Sequence, residues 1–115
     1  MERTELLEWV KETYSTEPDY PWNDYNCVFR HKHNKKWYAL VLKVNGQKLG
    51  FQSGKIVDIL NIKCDPIMIG SLCLEKGFFP AYHMNKENWI SILLDGTVVA
   101  DAIKHLIEMS YQLTR

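Results

Sequence analysis

Apolar residues recur at helical spacing from Glu2 to Thr16. Leu6, Leu7, Val10 and Tyr14 share one face and charged residues occupy the other, which predicts an amphipathic helix. Pro18 and Pro21 stop it, and "EPDYPWNDYN" reads as a turn-rich connection in which Trp22 plugs one end of the core. Cys27–Arg30 and Lys36–Val44 are rich in Val, Phe, Trp, Tyr and Leu, a strand pattern. Between them "HKHNKK" is polar with Asn34 suited to the turn, so the pair reads as a hairpin with a basic tip. Asn45-Gly46 signals another turn, and a third strand is predicted over Ile56–Lys63, though its alternation is poor.

"CDPIMIGSLCLEKG" carries a full set of helix signals. Asp65 suits the N-cap, Pro66 the first helical position and Gly77 the position past the end. Ile69, Leu72 and Cys73 form its inner face, and Gly70 is read as a close helix contact. Trp89–Leu94 predicts a strand ending at Asp95-Gly96, and Asp101–Leu113 a helix with Ile103, Leu106, Ile107 and Tyr111 inward. Hairpin connections imply an antiparallel sheet, and helices packed on one face of it give a two-layer α+β fold, one domain over 1–115.

Composition adds that the chain can build a real core: 46% of its 115 residues are hydrophobic. A chain this long buries roughly two thirds of its unfolded surface, enough to fold without metal or disulfide. Net charge is zero, but its distribution is uneven. Met1–Asn26 holds seven acids against two bases, whereas Arg30–Lys48 holds six bases and no acid. Such a basic block is informative where the total is not. Cys27, Cys64 and Cys73 have no CxxC spacing and read as reduced thiols without a disulfide partner. With no signal-like apolar start and no long apolar run, the expectation is a cytoplasmic protein with no membrane partner.

Several chemistries are open to these residues. His31 and His33 lie two apart, but no spacing matches a zinc motif; they read as solvated histidines, and no metal or cofactor is expected. Cys64 precedes a helix N-terminus, which can depress a thiol pKa, and His83 and Asp95 could complete a Cys-His-Asp set, although nothing in the sequence joins them. No glycine-rich phosphate loop is present. The candidate nucleic-acid contacts are Arg30, Lys32, Lys35, Lys36 and Trp37, on a protruding basic hairpin able to lie along double-stranded DNA as a β-wing. The competing reading is a solvated lysine loop.

Four further stretches carry a resemblance. "KCDP" at Lys63–Pro66, "FFPAYHMNKENW" at Phe78–Trp89, "LLDG" at Leu93–Gly96 and "SYQL" at Ser110–Leu113 occur in that order. Together with "VLKVNGQKLGF" they resemble the MmcQ/YjbR family of small bacterial proteins over essentially the whole chain. The resemblance implies a secretion-chaperone-like order α-β-β-β-α-β-β-α, with a short strand around Ala81–Met84. It also implies a DNA-binding role through paired β-wings and no enzymatic activity.

On that strand, Tyr82 and Met84 would face one side and Ala81, His83 and Asn85 the other. The alternative reading therefore gathers Lys63, His83, Asn85 and Lys86 beside the helix start at Asp65 as a pocket for a small anionic ligand, or for a weak enzyme. A third reading is a protein-interaction module with Trp22 or Trp37 on an exposed apolar patch.

Overall fold

The computed structural model describes all 115 residues. Its elements are α1 (Arg3–Tyr14), β1 (Cys27–Arg30), β2 (Trp37–Asn45), β3 (Ile56–Lys63), α2 (Pro66–Leu72), β4 (Phe78–Pro80), β5 (Trp89–Leu93) and α3 (Ala100–Thr114). The order is the expected α-β-β-β-α-β-β-α. The strands form one antiparallel sheet in the order β1-β2-β3-β5-β4.

The sheet is apolar on both faces. One face packs Val41, Leu60, Ile62, Ile90 and Ile92 against Leu6 and Val10 of α1 and Ile103 and Ile107 of α3. The other gathers Val28, Leu40, Leu42, Val44, Ile59 and Leu93 and carries no α-helix. Loop side chains, among them Trp37, Phe79, Tyr82 and Met84, pack there instead. This is why β3 alternates poorly: a strand buried on both sides reads as a nearly continuous apolar run.

A β-bulge decides what the open face presents. Phe29 pairs with Ala39 and Arg30 with Trp37, so Tyr38 is the extra residue on β2. Tyr38 and Ala39 therefore both join the helix-side core, and Trp37 emerges on the side of Leu40 and Leu42. Without the bulge, Trp37 would share the face of Ala39 and Val41. Ser110 of α3 completes the opened ladder: its hydroxyl accepts from the Lys63 N–H at 2.9 Å and donates to the Tyr38 carbonyl at 2.6 Å.

Several expectations are corrected. The short strand is β4, Phe78–Pro80, whereas Ala81–Met84 is a turn in which His83 takes φ +58°. Helix α2 is capped by Asp65, which accepts from the Ile67 N–H, but ends at Leu72, so Gly77 serves a separate turn at φ +92°. Gly70 makes no close contact; a Cβ there would meet nothing within 4 Å. Trp22 does not plug the core: it is 47% exposed and stands over the open sheet face against Trp37.

Candidate nucleic-acid interface and an aromatic cleft

The basic hairpin is not a free wing. Its tip is laid against the end of α3, where Asn34 Nδ2 donates to the Thr114 carbonyl at 3.0 Å. His31, expected in solvent, is 3% exposed and packed at a tilt against the rings of Tyr38 and Tyr111. Its Nε2 lies 2.8 Å from Thr114 Oγ1. That hydroxyl spends its proton on the Ser110 carbonyl at 2.8 Å, so it accepts from the His31 Nε2–H. Burial, with the repulsion of His33, holds the imidazole below its ordinary pKa.

Pairing also trims the hairpin's charge. Arg30 is bound to Asp19 through Nε and Nη2, each at 2.9 Å, and lies over the Trp37 ring at 5.5 Å. Lys43 pairs with Asp58 at 3.1 Å. Lys32, Lys35 and Lys36 remain exposed and outside the ion pairs of the fold.

Tertiary structure adds a fourth cation to these. Lys63, at the end of β3, pairs in register with Trp89 of β5. The β2–β3 ladder ends at Leu40 and Asn61, and beyond it Lys63 and Trp89 line a hollow of about 350 Å³ with Lys35, Lys36, Trp37 and Thr114. No acidic side chain lines it.

The other candidate anion-binding residues do not join Lys63. Lys86 Nζ donates to the Ala81 carbonyl at 2.9 Å and borders a separate hollow with Lys48 and Phe79. Asn85 Oδ1 accepts from the Glu87 N–H at 2.8 Å, an Asx turn that starts the lead into β5. His83 lies on the open sheet face, in a cleft distinct from both hollows. The alternation that grouped His83 with Asn85 fails because their segment is a turn.

The Cys-His-Asp grouping fails for a similar reason. Cys64 is buried in the helix-side cluster, across the sheet from His83. Burial and the neighbouring Asp65 push its thiol up to about 11, the reverse of helix-end activation. Asp95 is occupied in a turn, accepting from the Thr97 N–H at 2.9 Å.

The His83 cleft measures about 530 Å³. Leu40 and Leu42 floor it, and Trp22, Trp37, Tyr82 and Met84 wall it. The two tryptophans meet edge to face with ring centroids 6.0 Å apart. Asp24 and His83 bring polar groups to its rim. Tyr82 is held over the floor by its backbone: its N–H donates to Ser91 Oγ at 2.9 Å and its carbonyl accepts from Asn61 Nδ2 at 2.8 Å. Asn61 and Ser91 escaped the sequence reading, although each is a polar residue flanked by apolar ones within its strand, a visible signal.

Comparison with known proteins agrees with this architecture. The family model described as YjbR matches residues 11–113. The uncharacterised protein YyaQ of Bacillus subtilis is 44% identical over 115 residues, with 98% of each chain covered. A crystal structure of a Pseudomonas syringae protein superposes with a TM-score of 0.97 at 44% identity, covering 100% of both chains. A Deinococcus radiodurans protein superposes with a TM-score of 0.74 at 26% identity, over 98% of this chain and 78% of that one. No helix of the structure is long and apolar enough to cross a membrane.

Proposed function

The chain belongs to the YjbR family, and from that premise we propose that it is a non-enzymatic, single-domain cytoplasmic protein that holds DNA by its phosphate backbone. One observation carries the reading. Lys35 and Lys36 from the hairpin and Lys63 from β3 line one acid-free hollow between Trp37 and Trp89. Lys32 is exposed in an adjoining hollow that Lys35 also borders, together with Glu17 and Asp19. The surface is a lysine groove at the base of the hairpin, in place of a projecting wing. The three free cysteines suit a reducing compartment.

Lysines outside ion pairs attract phosphates mainly by releasing condensed counterions, so such binding weakens steeply with salt. Three or four phosphate contacts give a logarithmic salt slope of about −3 to −4 on a duplex. With a net charge of zero, the chain attracts phosphates through a local surface and not through its overall charge. A small phosphorylated ligand would fit the same hollow and is told apart because its affinity would not rise with strand length.

Duplex DNA titrated at low and moderate salt tests the proposal, with the Lys32→Ala, Lys35→Ala, Lys36→Ala triple variant alongside. The variant should bind more weakly and with a shallower slope. Unchanged affinity in the variant removes the lysine groove; no binding at low salt removes DNA altogether.

A further inference from the structure

Trp37 is the common wall of two hollows. The lysine groove lies on one side and the aromatic cleft on the other. We propose that the cleft receives one unstacked nucleobase from a DNA strand whose phosphates lie along Lys35, Lys36 and Lys63. The proposal rests on the DNA reading above and extends it from backbone to base.

Size, shape and charge each favour a base. A volume of about 530 Å³ lies in the range of pre-formed ligand sites and accommodates a base with its sugar. Trp22, Trp37 and Tyr82 line it with aromatic rings, and stacking on aromatic side chains is the main sequence-tolerant way proteins hold single strands. His83 brings a ring nitrogen to the lining for a base edge, and the Asp24 carboxylate, which already accepts from Asn26 through both oxygens, keeps further lone pairs for a base amino group. The one cation lining the cleft, Lys43, is already held by Asp58, so phosphate is better served across Trp37 in the groove. Duplex DNA, whose bases stay stacked, would use the groove alone; a single strand would use both.

The test compares three fluorescently labelled ligands of equal length by anisotropy: an intact single strand, a single strand with abasic sites, and a duplex. The intact strand should bind about tenfold more tightly than the abasic one. Trp22→Ala should erase that difference and leave the abasic strand and the duplex unchanged, while Trp22→Phe should keep most of it. Trp22 sits in an exposed connection, so these variants preserve the core. Lys35→Ala with Lys36→Ala should weaken all three ligands.

Equal affinity for the intact and abasic strands overturns the base site and leaves the phosphate groove standing. No strand bound at low salt overturns both readings. A free nucleoside that quenches tryptophan fluorescence in the wild type but not in Trp22→Ala, with no strand bound, overturns the proposal in favour of a free ligand.

Discussion

Asn61 and Ser91 face one another across β3 and β5, both fully buried, with the Ser91 hydroxyl donating to the Asn61 side-chain carbonyl. Their remaining groups close on the Tyr82 backbone, N–H to Ser91 and carbonyl to Asn61. Two polar side chains inside an apolar sheet thus do for Tyr82 what a strand partner would have done. They fix the wall of the cleft just beyond the end of β4.

Replacing either partner leaves buried polar groups unpaired. Ser91→Ala orphans the Tyr82 N–H and weakens the hold on Asn61, and should cost about 1–3 kcal/mol in urea unfolding. Asn61→Ala should cost a similar amount. The double variant should cost clearly less than the sum, because both single changes break one network. Fully additive costs would mean that the two residues act separately.

Ser110 is the corresponding device on the helix side. It is fully buried and bridges the Lys63 N–H and the Tyr38 carbonyl, just past the last paired residues of β2 and β3, Leu40 and Asn61. Ser110→Ala should destabilise by about 1–3 kcal/mol. Amide exchange at Lys63 should accelerate more than at Leu60, in the middle of the same strand. Equal acceleration at both would assign the loss to the whole sheet.

His31 makes stability depend on pH. In the folded chain its pKa is lowered by burial and by His33, Arg115 and Lys36 nearby. In the unfolded chain it titrates near its ordinary value of about 6.5. Below that pH the unfolded state binds the extra proton, so stability is full above it, declines as the pH falls, and levels once folded His31 protonates too. Thermal melting followed from neutral to mildly acidic pH should show this decline, and His31→Gln should flatten it. An equally steep decline in the variant would assign the effect to other groups.

Two glycines should respond to alanine with opposite signs. Gly77 has φ +92°, and a Cβ there would lie 2.7 Å from Val98 Cγ2, so Gly77→Ala should destabilise by more than about 1 kcal/mol. Gly70 lies in α2 with nothing within 4 Å of a Cβ, so Gly70→Ala should stabilise by up to about 1 kcal/mol. Chemical denaturation of the two variants measures both.

The element order was legible because its signals are local. The Asp65-Pro66 start of α2, the stripe of Ile103, Leu106 and Ile107 on α3 and the β-rich runs of β1 and β2 each depend on a few neighbouring residues. The local signals also misled where packing overrode them. "HKHNKK" looked like a solvated tip, yet His31 is drawn into the core by Thr114, which lies 83 positions away. Ala81–Met84 took its implied strand from a family likeness, whereas here the Asn61–Ser91 pair holds that segment as a turn.

The helices, the strands and the antiparallel two-layer arrangement follow from local pattern alone, because hydrophobic period, caps and turn residues act over one or two turns of chain. The gathering of positive charge between Arg30 and Lys48 is likewise legible in the sequence. Which charges stay free, and what they face, depends on contacts between distant segments. Asp19 and Asp58 neutralise Arg30 and Lys43 from other segments, and β3 brings Lys63 to Lys35 and Lys36. A single bulged residue, Tyr38, sends Trp37 to the open face, because side chains alternate along a strand and one extra residue reverses every assignment beyond it.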